Sequence, residues 1–218
     1  MPSSEAVFWR LLHLADSAFP TGGFVHSGGI EAALALRLVE RDTVESWLAH
    51  ALGQCAQGFL PLVAATHADP TRMAEIDTLT EAWLWNPPAN RASRAQGLAW
   101  LKTTSLAFPG HGLEDLRPAH SPGHLAPVLG AVLARLGFSS DQAVRLVLHL
   151  HLRSLISSAI RLGLVGPLEA QAIQARLAPA LEEAATRQVP LGDLATTTPL
   201  ADIAHLHHDR LYSRLFAT

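Results

Sequence analysis

Helical periodicity runs through almost the whole 218-residue sequence. Near the start, apolar side chains recur three and four positions apart, from Val7 through Leu11 to Ala15, which places them on one face of a helix. Val and Ile fall mainly inside such segments, and there is neither a convincing pair of strands nor an Asn-Gly or Asp-Gly hairpin turn. We therefore expect an all-α fold in which residues 1–218 form a single compact domain of roughly nine or ten helices.

Capping patterns, prolines and glycines predict where the helices begin and end. Ser139 and Gln142 have the spacing of a capping box. Thr198 before Pro199 is expected to cap the last helix, which then runs to the chain end. The other predicted helices are Ile30–Val39, one opened by a capping box of Asp42 and Glu45, one begun by Pro61, Arg72–Trp85, Arg91–Phe108, Leu125–Leu136, a long helix to Leu164, and one from Pro167 to about Arg187. The glycines and prolines of 109–123 predict a loop.

Composition and charge exclude several classes of protein. The formal net charge is −3 and Lys102 is the single lysine, so the chain lacks the basic patch that binds nucleic acid. No apolar run qualifies as a membrane span, and the N-terminus lacks the features of a signal peptide. The lone cysteine, Cys55, forms no internal disulfide and is expected to be a buried structural thiol rather than a nucleophile. These features predict a soluble, cytoplasmic protein.

The sequence also lacks the common catalytic motifs. It contains no GxxxxGK[ST] phosphate-binding loop, no HExxH zinc motif and no CxxC pair. The glycines at positions 22, 23, 28 and 29 do not have the GxGxxG spacing of a dinucleotide site, and no strand is expected before them. We therefore predict no catalytic, cofactor-binding or metal-binding residues and no enzymatic activity.

The glycine-rich segment Gly22–Glu31 has two interpretations. It can be a tight turn between two helices, because glycine tolerates positive φ, with Ser27 capping the helix that contains Glu31. It can also be an exposed recognition loop that presents Phe24 and His26 to a partner. On physical grounds alone the turn is favoured.

The last twenty residues, Pro199–Thr218, are dense in charged and amphipathic side chains, which is unusual for a chain end. His205 and His208 are three residues apart, the helical spacing of a metal-binding pair. Two histidines without a third ligand bind metal weakly, so we expect solvated or hydrogen-bonded histidines. A helical metal-dependent enzyme that uses His205 and His208 is the alternative.

Two arginines also leave alternatives open. Arg161, near a helix end, can satisfy terminal carbonyl groups or form an ion pair at a subunit contact. Arg214 can lie in a mobile and inert tail. However, Leu211, Leu215 and Phe216 give this tail an apolar face, which predicts that it docks into a groove with Tyr and Arg as contact residues.

Several short motifs are spread along the chain. They are the leucine-rich start followed by Pro20-Thr21-Gly22-Gly23-Phe24 and Ser27–Glu31, then Ser93–Gly97, the stretch from His124, Arg161-Leu162-Gly163 with Gly166 and Gln171, and finally Leu200–Ala204, His208-Asp209 and Tyr212–Phe216. Together, and in this order, they resemble the motifs of the UreF family of urease accessory proteins. Departures occur at Val25-His26, Asp209 and Ala217-Thr218, where the family often has Ser-Tyr, Glu and Arg-Ser.

The resemblance implies a non-catalytic assembly factor, or chaperone, for nickel insertion during urease maturation. UreF-like proteins are all-helical and dimeric, bind UreD (also called UreH), and recruit or regulate the GTPase UreG during nickel delivery to apo-urease. By this resemblance the complex handles the nickel, UreG binds the GTP, and no cofactor is assigned to this chain. The segment Gln142–Arg161 is the expected homodimer seam.

The same resemblance places partner contacts in the glycine-rich loop, at Arg161 and in the tail. The expected partner-binding residues are Gly22, Gly23, Phe24, His26, Ser27, Glu31, Arg161, His208, Asp209, Tyr212, Ser213, Arg214, Leu215 and Phe216. Neither a nucleic acid nor a membrane is expected among the partners.

Overall fold

The computed structural model of the chain describes residues 4–116, 121–187 and 189–218, with side chains from residue 7 onward. Within these ranges the protein is helical and has no strand, as the periodicity predicts. The helices are α1 (Ser4–Ala15), α2 (Ile30–Ala35), α3 (Val44–Gln54), α4 (Leu60–Ala68), α5 (Met73–Trp83), α6 (Pro87–Ala107), α7 (Leu125–Arg135), α8 (Ser140–Arg161), α9 (Pro167–Arg176), α10 (Ala178–Thr186) and α11 (Pro199–Leu206). A π-helical turn, Cys55–Phe59, joins α3 to α4, so the described residues form ten separate helices.

Helix α7 is the centre of the apolar core. Every residue from Ala126 to Leu133 is buried, and the helix packs against α4 on one side and α6 on the other. Gly130 allows the approach to α4, because a Cβ atom there would lie 2.3 Å from the Val63 carbonyl oxygen. Helix α8 packs against α4 and α7 and carries Arg161 at its last residue.

The segment that leads into α7 is held by buried polar groups. The Asp77 carboxylate accepts hydrogen bonds from the backbone nitrogen atoms of Gly123 at 2.7 Å and His124 at 2.8 Å. The Ser93 hydroxyl accepts from the backbone nitrogen of Leu125 at 3.2 Å. Since a buried carboxylate is costly without such partners, this network stabilises one conformation of the segment. The motif that begins at Ser93 and the stretch from His124 therefore meet in the fold.

The helix predicted from Pro167 and the last predicted helix both end well before their expected bounds. The helix from Pro167 stops at Arg176, because Pro179 lacks an N–H group and its ring would clash with the carbonyl four residues before it. The prediction of a last helix that continues to the chain end is wrong: α11 stops at Leu206 and a short 3₁₀ turn, His207–Arg210, follows. The remaining tail, 211–218, is irregular.

The predicted helix caps have mixed outcomes. The capping box of Ser139 and Gln142 at the start of α8 is confirmed. The prediction of a cap at Asp42 is wrong, because α3 starts after Thr43 and has no side-chain cap. Ser27 does not cap α2, which follows Gly29. Thr198 occupies the N-cap position of α11 with Pro199 in the first turn, as predicted, but its side chain makes no capping hydrogen bond. The helix predicted from Ile30 is also shorter, ending at Ala35 instead of Val39. Pro61 lies in the first turn of α4, one residue after the helix begins, in agreement with the prediction.

The expected loop at 109–123 is confirmed for its described part, and residues 117–120 lie outside the described residues. Among the described helices, α8 alone is long and apolar enough to cross a membrane by length and composition, which the apolar runs did not predict. Half of that segment is buried inside the protein, as in the core helix of a soluble protein, so this is a weak indication of a span.

Candidate functional site

The C-terminal tail lies across the glycine-rich loop and pairs with it. The backbone nitrogen of Ala217 donates to the carbonyl of Val25 at 2.8 Å, and that of Ser27 donates to the carbonyl of Thr218 at 2.7 Å. The Nδ1 atom of His26 lies 2.6 Å from the Thr218 hydroxyl oxygen. We call residues 22–31 and 207–218 together the loop–tail junction. The two segments that the sequence assigned to partner contacts are therefore in contact with each other.

Arg161 connects the two halves of this junction. Its guanidinium carbon lies 3.9 Å from the centroid of the Phe24 ring and 4.2 Å from that of the Phe216 ring. Its Nη1 atom also donates a hydrogen bond to the Phe24 carbonyl oxygen. A guanidinium over an aromatic ring contributes roughly 0.5–2 kcal/mol, more where water is excluded. Arg161 therefore satisfies a carbonyl of the loop rather than those of its own helix end.

Glu31 is the buried anchor of the tail. Only 7% of its surface is exposed, and its carboxylate accepts hydrogen bonds from the backbone nitrogen atoms of Leu215 at 2.5 Å and Phe216 at 3.2 Å. The Nε2 atom of His208 lies 3.0 Å from the same carboxylate, and His208 is fully buried. These three contacts compensate for the burial of the carboxylate and hold the tail in place. The tail is thus docked within its own chain, with Phe216 only 4% exposed.

An ion pair at the surface also ties the tail to α6. The Nη2 atom of Arg91 lies 2.7 Å from both carboxylate oxygens of Asp209, and this hydrogen bonding lowers the pKa of Asp209. The Nη1 atom of Arg214 lies 3.7 Å from the same carboxylate. Both arginines are substantially exposed, so these pairs add little stability by themselves.

Two glycines make the turn between loop and helix possible. Gly28 and Gly29 have φ angles of 63° and 88°, which side chains other than glycine rarely adopt. A Cβ atom at Gly29 would also lie 3.1 Å from the ring carbon Cγ of His205. Gly28 and Gly29 therefore form a turn directly before α2, within a longer connection that exposes Phe24.

The predicted partner-binding residues differ in exposure. Gly22, Phe24, Asp209, Tyr212, Ser213, Arg214 and Leu215 are exposed, Gly23, His26 and Arg161 are half-buried, and Ser27, Glu31, His208 and Phe216 are buried. The buried members hold the junction together, and the exposed members form its outer surface. Phe24 is 69% exposed and Leu215 is 54% exposed, which leaves apolar surface around a rigid junction.

The histidines do not form a metal site in the described part of the chain. His205 ends up in α11 and His208 in the following 3₁₀ turn, and no group of three His, Cys, Asp or Glu side chains is placed to hold an ion. Burial, and then the nearby charge of His208, lowers the pKa of His205 to about 4. The same two causes lower the pKa of His26. The geometry therefore gives no support to the metal-dependent enzyme.

Cys55 is buried in the π-helical turn, as expected for a structural thiol. Burial raises the pKa of its thiol to about 12, so the thiol stays protonated near neutral pH. This is the opposite of the low pKa that a nucleophilic cysteine needs.

Comparisons with known proteins identify the family of the chain. The family model described as UreF matches residues 38–178. A urease accessory protein F from Arabidopsis thaliana is 34% identical over 229 residues, which cover 99% of this chain and 95% of that protein. The chain belongs to the UreF family.

Other relatives show similar coverage. A urease accessory protein UreF from Paracoccus denitrificans (strain Pd 1222) is 35% identical over 220 residues, 97% of this chain and 96% of that protein. A urease accessory protein F from Oryza sativa subsp. indica is 33% identical over 221 residues, 96% of this chain and 85% of that protein. The matched UreF segment includes Arg91 and Arg161, whereas the loop and the tail that they contact lie on either side of it.

Sequence reasoning missed two residues that hold the loop–tail junction together. Thr218 bonds to His26 from 192 positions away, and Arg91 reaches Asp209 from 118 positions away. Neither residue belongs to a local pattern, because both gain their role only when distant segments meet. The tail's apolar face was a usable signal, since it predicted docking without saying where.

Proposed function

We propose that this UreF-family chain acts as a single helical domain in the cytoplasm and is a non-catalytic assembly factor for the nickel site of urease. It binds UreD, also called UreH, and recruits or regulates the GTPase UreG during nickel delivery to apo-urease. UreG supplies the bound GTP, and the assembled complex handles the nickel. Family membership supports this proposal, because the relatives are named urease accessory proteins.

The loop–tail junction is the observation that carries the proposed partner binding. Phe24, Tyr212 and Leu215 are exposed around a backbone that Glu31 and Arg161 hold in one conformation. Aromatic and arginine side chains are enriched among residues that dominate binding energy. A surface that is ordered before binding loses less conformational entropy when a partner docks. The exposed residues are therefore the proposed contacts, and the buried ones position them.

Homodimerisation through α8 is part of the same proposal. Much of Gln142–Arg161 is buried within the chain, but Val144 and Leu150 are only partly buried and lie at the edge of the core. A second copy that covers this edge would bury them. Light scattering on the isolated chain tests the seam: Val144→Glu should convert a dimer to a monomer, and a wild-type monomer contradicts the proposal.

The contact surface is tested by pairwise binding to purified cognate UreD and UreG. Tyr212→Ala and Leu215→Ala remove exposed side chains and should leave the helical content unchanged. We expect a loss of affinity of about 30-fold or more for at least one partner, which corresponds to the roughly 2 kcal/mol of an interface hot spot. Leu168→Ala changes a leucine on α9 that is 89% exposed; it is the control and should bind normally. Normal binding by both tail variants would contradict the proposal.

A further inference from the structure

A cavity of about 440 Å³ lies beneath the glycine-rich loop and reaches into the helical core. Most of its lining is apolar, and the buried part includes Leu62, Trp100 and Leu129. Ser17 and Pro20 also line the cavity but are exposed, which places an opening to solvent beside them. Small-molecule sites in proteins are typically cavities of roughly 300–1,000 Å³ with apolar walls and a few polar groups. The size and lining of this cavity fit that description.

Arg153 of α8 lies on the cavity wall near this opening. Its Nη1 atom donates a hydrogen bond to the carbonyl oxygen of Ala15, two residues before Ser17. The other N–H groups of the guanidinium have no hydrogen-bond partner in the described part of the chain. Burial lowers the pKa of Arg153, but a guanidinium group still keeps its positive charge near pH 7. Arg153 therefore offers a partly desolvated cation with unused donors.

Arg153 also determines the charge of the cavity. Among the described lining residues it is the only Arg or Lys, and none of them is Asp or Glu. Burial lowers the pKa values of the lining imidazoles of His26, His151 and His205, so these groups are neutral near pH 7. Asp16 is close to Arg153, but it is exposed to water, which screens its charge. The lining as a whole therefore favours an anion.

We propose that this cavity binds a small organic carboxylate with an aromatic or branched apolar body, and that the carboxylate pairs with the guanidinium of Arg153. The apolar body extends inward toward Trp100 and Leu129, where its burial is favourable. The N–H groups of a guanidinium match the two oxygen atoms of a carboxylate, and the charges strengthen these hydrogen bonds. A neutral ligand would leave the charge of Arg153 unpaired, and a small anion would leave the inner cavity unfilled.

Three probes separate the charge from the apolar body. The purified full chain is titrated near pH 7 by isothermal titration calorimetry with 3-phenylpropanoate, with its neutral counterpart 3-phenylpropanamide, and with acetate, which has the charge alone. We expect 3-phenylpropanoate to bind at least about tenfold more tightly than either of the others. Hydrogen bonds between charged groups are roughly twice as strong as neutral ones, and the phenyl group buries apolar surface that acetate lacks.

Variants of Arg153 test which group pairs with the carboxylate. Arg153→Gln should remove the preference for 3-phenylpropanoate over the amide, and Arg153→Lys, which keeps the charge, should retain most of it. Arg145→Gln is the matched control, because Arg145 lies on the same helix but pairs with Glu182 at the surface. An unchanged preference in Arg153→Gln would overturn the proposal.

A further variant tests the location by filling the cavity. Ser154 is half-buried and lines the cavity, so Ser154→Phe should weaken binding of 3-phenylpropanoate by at least about tenfold while the circular dichroism of the helices is retained. Unchanged binding in Ser154→Phe would overturn the proposal, as would equal affinity for the three probes. Failure of 3-phenylpropanoate to bind at about 1 mM, the weak end of measurable affinities, would also overturn it. Because the assay uses the isolated chain, none of these results bears on partner binding.

Discussion

Glu31→Gln should release the C-terminal tail while leaving the helical core intact. The carboxylate has three partners, at 2.5 Å and 3.2 Å in the tail backbone and at 3.0 Å in His208. The glutamine side chain has the same shape as glutamate but only one acceptor oxygen. Its NH₂ group therefore faces an N–H donor whose hydrogen bond the carboxylate accepts in the wild type. The unpaired donor, together with the loss of the negative charge from the two remaining contacts, weakens tail docking by about 2–4 kcal/mol.

Hydrogen exchange followed by mass spectrometry measures this effect directly. A change of about 2 kcal/mol or more predicts at least a roughly 30-fold loss of protection for the amides of Leu215 and Phe216. Glu75→Gln is the matched control, because Glu75 is exposed and pairs with Arg72 on the surface. Unchanged tail protection in Glu31→Gln would refute the idea that this carboxylate anchors the junction.

Four further changes test separate parts of the account. Arg161→Ala removes a guanidinium from between two rings and should weaken tail protection in hydrogen exchange by about 1–3 kcal/mol; protection equal to wild type would contradict it. Arg214→Ala should change the free energy of unfolding by no more than about 0.5 kcal/mol, and so hardly shift the thermal midpoint, because its ion pair is exposed; a large fall in the midpoint would show that Arg214 stabilises the fold. Gly130→Ala should destabilise strongly, by about 2–4 kcal/mol in urea unfolding, because its Cβ atom overlaps the α4 backbone; a neutral result would show that α4 and α7 pack less closely. Finally, the pKa of His205 is about 4 in the folded protein against 6.5 in the unfolded chain, so the unfolded state binds more protons between these values. Stability is full above pH 6.5 and should fall by about 2 kcal/mol from this residue on going to pH 5, and His205→Phe should flatten that part of the urea-unfolding profile.

The sequence predicted helix boundaries well where neighbouring residues determine them. The capping box at Ser139 needs only Gln142, three residues away, and it appears in the structure as expected. The break at Leu177 also has a local cause in Pro179, and the helical composition of that segment concealed it. The tail differs, because its conformation depends on Glu31, which is 184 residues from Leu215. No periodicity at the tail could show that a distant carboxylate replaces the hydrogen bonds of a longer helix.

The candidate site was predicted as a set of residues but not as an arrangement. The sequence indicated the glycine-rich loop, Arg161 and the tail, without indicating that Arg161 lies between Phe24 and Phe216. The spacing of His205 and His208 suggested that they share one face of a helix. They do not, because α11 ends at Leu206 and His208 lies in the 3₁₀ turn that follows. Burial also distinguishes residues that were predicted together as partner contacts, since Glu31 is buried and Tyr212 is fully exposed. Such differences come from packing over long sequence distances, which spacing alone does not encode.

The central claim is that the exposed side of the loop–tail junction assembles this UreF-family chain with its partners. Size-exclusion chromatography with light scattering on the chain mixed with cognate UreD and UreG tests it most directly. The account predicts one species whose mass contains all three proteins, and its loss when Tyr212 and Leu215 are both changed to Ala. A complex of the same mass with the doubly changed chain, or no complex with the wild type, would contradict the claim.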